Sequence, residues 1–126
     1  MLLNDFYMLS DLSDKPSGDG GTITASIAIN KSHKIFEGHF PGLPIVPGVC
    51  MMQMIKEIME FRLHKKLIMK EADQVKFLSV INPGEYSLVM TEIQFKSPSE
   101  GEIEIVARLF YENITFFKLK ARLSNV

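Results

Sequence analysis

The run from Gly48 to Lys70, GVCMMQMIKEIMEFRLHKKLIMK, limits what this chain can fold into. After its opening glycine it holds strong helix formers and no further glycine or proline. Its first two turns are apolar almost all round, with Val49, Cys50, Met51, Met52, Met54 and Ile55 around one polar side chain, Gln53. From Lys56 onward it becomes amphipathic, with Ile55, Ile58, Met59 and Phe61 set against Lys56, Glu57, Glu60 and Arg62. Such a helix starts deep inside a protein and ends at its surface. The rest of the chain must therefore cover its first turns.

That cover is strand-like. In Thr22 to Asn30, Ile23, Ala25, Ile27 and Ile29 alternate with more polar neighbours. Ile103, Ile105, Ala107 and Leu109 do the same in Glu102 to Leu109, and each pattern predicts a half-buried strand. Further strands are expected over 74–80, 86–95 and 115–123, with turns at Asn82-Pro83-Gly84, at Pro98 to Gly101 and near Asn113. Residues 6–12 suit either a strand or a short helix, and SDKPSGDGG, residues 13–21, reads as an exposed turn or hairpin loop. The stretch KSHKIFEGHFPGLPIVP, residues 31–47, carries too many prolines and glycines for a regular element and predicts a structured loop. The expected architecture is α+β, a curved antiparallel sheet wrapped around one long central helix.

Length and charge exclude several function classes. With 126 residues the chain has room for one core, so 1–126 is expected to be a single domain. A formal net charge of −1 argues against a dedicated nucleic-acid binder. One cysteine and three scattered histidines provide neither a disulfide nor a metal site, and no organic cofactor is implied. The opening MLLNDFYMLSDL lacks the basic start of a signal peptide, and no apolar run approaches the roughly 20 residues needed to span a bilayer. A cytoplasmic location without membrane contact is the expectation.

The chemistry is concentrated in GHFPGLPIVPGV, residues 38–49. A proline-rich loop ending in Pro-Gly at a helix start leaves backbone amides free, because the first N–H groups of a helix have no intrahelical partners. With the positive end of the helix dipole, they suit an oxygen gaining negative charge. His39 can serve as a base at neutral pH. A base beside an oxyanion site is what removal of a proton next to a carbonyl requires. The local alternative is a histidine that packs in the turn and hydrogen-bonds a carbonyl.

This motif, followed by a helix, resembles the signature of the hotdog-fold β-hydroxyacyl-acyl-carrier-protein dehydratases of bacterial fatty acid synthesis. Asn30 to Phe36 upstream and Lys76, Phe77 and Asn82-Pro83-Gly84-Glu85 downstream extend the likeness. The resemblance implies a hotdog fold in which His39 removes the α-proton of a β-hydroxyacyl thioester. It also implies that the Gly48 amide binds the thioester carbonyl, with Phe40, Pro47 and Val49 beside the substrate. In that family a carboxyl in the first helical turns, contributed by the other subunit of a dimer, supplies the proton that turns the hydroxyl into water. Here that position holds Gln53, and Glu57 follows four residues later, as though acid and amide had exchanged places. Glutamine can orient a hydroxyl or a water but has no proton to give. Glu57 shares a helix face with Gln53, so it is a candidate displaced acid acting through a water or through Gln53. Its place beside Lys56 favours a solvated surface role instead.

The implied partners are an acyl carrier protein bearing the thioester and a second hotdog subunit, identical or related. Carrier proteins are acidic, so Arg62, Lys65, Lys66 and Lys70 form a candidate docking patch. Met51, Met52, Met54 and Met59 are expected in the core, with an acyl tunnel as their alternative role. Cys50 is expected to be a buried hydrophobe, and His33 and His64 to be structural or exposed. Two other activities stay open: a catalytically weak subunit that pairs with an active homologue or binds acyl chains, and a hotdog thioesterase.

Overall fold

The computed structural model describes residues 1–126. Its strands are β1 (Tyr7–Ser17), β2 (Gly20–Ile29), β3 (Leu67–Phe77), β4 (Val89–Ser99), β5 (Glu102–Tyr111) and β6 (Ile114–Asn125). Two helices, α1 (Ile35–Gly38) and α2 (Gly48–Leu63), lie between β2 and β3. The strands form one six-stranded sheet in the order β1-β2-β4-β5-β6-β3, and each neighbouring pair is antiparallel. The α+β expectation therefore holds. No helix is long and apolar enough to cross a membrane.

One face of the sheet packs on α2. Ile23 and Ile27 of β2, Ile93 of β4, Leu109 of β5 and Phe117 of β6 meet Met54, Ile55, Ile58 and Met59 in one core cluster, all at 0% exposure. Full burial of such a side chain stabilises by about 1.5–3 kcal/mol, so this helix face is the main anchor of the fold. The alternation in β2 and β5 is as expected, with Ile23, Ala25, Ile27, Ile103, Ile105, Ala107 and Leu109 all buried.

Several boundaries differ from the sequence expectation. β1 runs through Ser17, so Ser13 to Ser17 is strand and the turn is confined to Gly18 and Asp19. Pro16 is tolerated because β1 is an edge strand with one side free of ladder bonds. The expected loop over 31–47 contains the single turn α1. The helix ends at Leu63, where His64 adopts a left-handed conformation (φ 56°) and its N–H donates to Glu60 O. Residues 67–73, expected to be helical or unassigned, form β3 because they pair with β6 from Leu67↔Asn125 onward. Cross-strand pairing here outweighs helix propensity. The turn expected at Asn82-Pro83-Gly84 forms, with Glu85 N–H and Tyr86 N–H donating to Asn82 O, but it joins no neighbouring strands: β3 pairs with β6 and β4 with β2, so the 78–88 segment crosses between separated strands. The amphipathic reading of α2 also fails at its second half, since Glu57 and Glu60 are buried and Phe61 is 50% exposed.

The two sheet edges differ in chemistry. β1 has a register shift between Ser10 and Ser13 and carries Pro16, and β3 has two shifts against β6, all devices that blunt an edge. β3 presents Ile68, Val75 and Phe77 to solvent, with Leu78 and Val80 just beyond.

Candidate active site

His39 leaves α1 as its C-cap residue and is half-buried. Its Nδ1 lies 3.1 Å from Ile45 O. A carbonyl only accepts, so Nδ1 carries the hydrogen, and in the neutral ring Nε2 then holds the lone pair, the tautomer of a base. The carbonyl-bonded histidine of the local alternative and the base are thus the same arrangement. Ile45 N–H donates back to His39 O at 3.0 Å, and Phe40 and Leu43 exchange two backbone bonds of 2.9 Å. Gly42 at φ 75° closes the Phe40-Pro41-Gly42-Leu43 turn, whose third position favours glycine. The rings of His39 and Phe40 stack at 4.3 Å.

The loop then enters α2 through buried Pro47, whose carbonyl accepts from Cys50 N–H and Met51 N–H. Pro47 caps the helix without a side-chain hydrogen bond, and the Gly48 and Val49 amides have no intrachain partner. Gly48 makes a close approach here, since an added Cβ would lie 2.5 Å from the Phe77 ring unless that exposed ring moved. Val46 N–H donates to Ile81 O, which ties the helix entrance to the 78–88 segment. Two free amides at a positive helix end are chemically suited to receive an oxygen acquiring negative charge.

A turn further on, Gln53 and Glu57 meet. Gln53 Nε2 donates to Glu57 Oε2 at 2.6 Å. The same carboxylate accepts from Leu2 N–H at 2.9 Å, Leu3 N–H at 2.8 Å and the Tyr7 hydroxyl at 3.1 Å. Glu57 is at 0% exposure, so the solvated surface role expected for it is corrected: four donors replace water around its charge. Burial alone would raise its pKa, but the bonds from Leu2, Gln53, Leu3 and Tyr7 outweigh it and hold the carboxyl below its ordinary range. Burial, then the Glu57 charge, push the Tyr7 phenol well up, so it stays a donor. Burial and the same charge also raise the Cys50 thiol, which fits a buried hydrophobe rather than a nucleophile.

The sequence matches the family described as ApeI-like, ApeI dehydratase, over residues 15–106, more than half of the chain. The chain belongs to the ApeI-like dehydratase family. Among curated proteins it is similar to 3-hydroxyacyl-[acyl-carrier-protein] dehydratase FabZ of Caldicellulosiruptor saccharolyticus, 31% identical over 70% of this chain and 66% of that protein. The FabZ of Levilactobacillus brevis is 26% identical over 71% of this chain and 64% of that protein. The chain thus spans just under two thirds of the length of these relatives. An uncharacterized protein from Erwinia carotovora subsp. atroseptica superposes at TM-score 0.76 with 14% identity, covering 95% of this chain and 97% of that one. The dehydratase heterocomplex ApeI:P from Xenorhabdus doucetiae superposes at 0.66 with 17% identity, covering 90% and 95%. These likenesses establish the hotdog fold.

Within this ApeI-like chain the candidate residues fall into two groups. His39, Phe40, Pro47, Gly48 and Val49 form the loop and helix entrance, and Gln53 and Glu57 are joined by a hydrogen bond. His39 hydrogen-bonds neither Gln53 nor Glu57 in the chain itself. Beside α2, Val49, Met52, Gln53, Lys56, Ile68 and Met69 line a cleft of about 340 Å³. Met51, Met54 and Met59 are core, as expected, and Met52 reaches the cleft. His33 is structural: Ile35 N–H donates to its Nδ1, so its Nε2–H faces Asp5 at 3.1 Å. His64 is exposed. Of the basic patch, Arg62 pairs with Asp14, while Lys65, Lys66 and Lys70 are exposed and unpaired. Tyr7, Leu2 and Leu3 escaped the sequence reading. Their contact with Glu57 spans 50 residues or more and has no local signal.

Proposed function

We propose that the chain interconverts β-hydroxyacyl and enoyl thioesters carried on an acyl carrier protein. The observation that carries this reading is the bond from His39 Nδ1 to Ile45 O, which leaves Nε2 as a base on the loop that leads to the free Gly48 and Val49 amides. His39 Nε2 takes the α-proton, and the charge moving onto the thioester oxygen is received by those amides. The Cβ–O bond then breaks, the carbon–carbon double bond forms, and water leaves. Gln53 has no proton to contribute. The hydroxyl therefore departs with the proton that His39 took, while Gln53 orients it.

His39 and Gln53 do not meet in one chain, which supports a site completed by a second hotdog subunit. The exposed apolar side of β3, with Ile68, Val75 and Phe77, supports pairing at that edge. Lys65, Lys66 and Lys70 are the docking cations for the acidic carrier. Charge reversal at Lys65 and Lys66 should slow turnover of carrier-bound thioesters and spare free ones.

A second reading follows from the same glutamine: a weak subunit that pairs with an active homologue. It is favoured by Gln53 in the acid's place and by the fold neighbour that is itself a heterocomplex. One experiment separates the readings. The purified chain is incubated with β-hydroxyacyl and enoyl carrier-protein thioesters, beside His39→Ala and Gln53→Glu. Turnover that His39→Ala abolishes supports the dehydratase. Inactivity cured by Gln53→Glu or by an added homologue supports the weak subunit. Release of free acid would replace both with thioester hydrolysis.

A further inference from the structure

We propose that Glu57 is a positioning residue that locks the Gln53 amide in one orientation, so that Gln53 offers Oε1, a hydrogen-bond acceptor, to the substrate hydroxyl. The inference rests on the reading that places Gln53 in the substrate site, and adds what Gln53 presents there.

The argument begins with the chemistry of the contact. A carboxylate accepts and cannot donate, so the amide nitrogen of Gln53 must face Glu57 Oε2 across the 2.6 Å contact. The flipped amide would set two oxygens against each other at that distance. Glu57 is itself fixed from three other directions, by Leu2 N–H, Leu3 N–H and Tyr7 O–H, and it has no water to turn toward. Its lowered pKa keeps it a carboxylate at neutral pH. Gln53 Oε1 has no donor from within the chain, and Gln53 lines the cleft beside α2. An unlocked glutamine presents either end of its amide. A locked one discriminates: a substrate hydroxyl must donate its hydrogen to Oε1, which leaves the hydroxyl's lone pairs turned away from Gln53 and open to the proton that His39 returns. The exchange of acid and amide along one helix face thus gives an acceptor where a proton donor is expected, and an anchor where an amide is.

The lock is readable without turnover. The chain has three glutamines, and Gln74 and Gln94 are exposed, so they serve as internal references. In protein labelled with ¹⁵N at glutamine side chains, the Gln53 pair, assigned by its loss in Gln53→Met, should exchange with solvent at least about tenfold more slowly than the other two, as one held hydrogen bond requires. Leu2 N–H and the Gln53 amide converge on one oxygen, so a nuclear Overhauser contact between them is expected. Glu57→Gln should bring Gln53 exchange toward that of Gln74 and Gln94. Tyr7→Phe, which removes a donor from the same carboxylate but leaves the Gln53 bond, should keep the pair protected. Where turnover is present, Glu57→Gln should lower kcat about tenfold with KM little changed. Gln53 exchange as fast as the references in the wild type, absence of the Leu2 contact, or protection that survives Glu57→Gln would each overturn the lock. If the chain turns over no thioester while these signals are present, the assigned activity fails and the lock stands.

Discussion

The two halves of the site are held in opposite ways. His39 sits half-buried on a loop with one side-chain hydrogen bond, to the backbone carbonyl of Ile45. Glu57 is sealed at 0% exposure and takes bonds from two backbone amides, a phenol and an amide side chain. The lesson is that a titratable group's type does not tell whether it moves protons. A base must be reachable and have a free lone pair. A buried carboxylate saturated with donors holds its charge and works as a fixed point.

The contrast can be broken at either end. The largest effect should come from His39→Ala, with dehydration slowed about 100 to 10,000-fold and a melting temperature within about 2 °C of wild type. Turnover assays beside thermal melts check both halves of that statement. Glu57→Ala should do the reverse to stability, stranding several donors and costing about 2–4 kcal/mol in urea unfolding. A smaller effect is expected from acid. Because the folded pKa of Glu57 lies below its unfolded value, its stabilisation is complete above the ordinary carboxylate range and is lost as pH falls through the folded value. Melts between pH 6 and 3 should show this loss in the wild type and a flatter curve in Glu57→Gln. The mildest change is Gly48→Ala, whose methyl meets the exposed ring of Phe77. The ring can swing aside, so a cost of about 1 kcal/mol or less is expected in unfolding, with turnover reduced more than stability.

Much of this could be read in the sequence, for local reasons. The alternation of β2 and β5 follows from side chains that point to opposite faces, and the start of α2 follows from Pro47-Gly48. His39 and Gly48 stood out through the likeness of GHFPGLPIVPGV to a family signature, since a lone histidine in a turn is locally as well read as a carbonyl-bonded packing residue. The end of α2 was not, since Leu67 to Met69 favour a helix locally and become strand only by pairing with β6. Glu57 was misread for a similar reason. Its neighbour Lys56 marks a surface, but the donors that bury Glu57 arrive from residues 2, 3 and 7, and only the tertiary fold brings them there.

The bare edge of β3 has a consequence for how such a chain must be supplied. A strand with Ile68, Val75 and Phe77 facing solvent and an open row of amides is a template for any extended segment it meets. Under the pairing proposed above, chain produced in excess of a subunit covering this edge should accumulate in the insoluble fraction, and matched co-production should return it to solution. On that proposal, stoichiometry with a partner becomes part of the chain's folding, and specific activity should fall on dilution as the proposed pair dissociates.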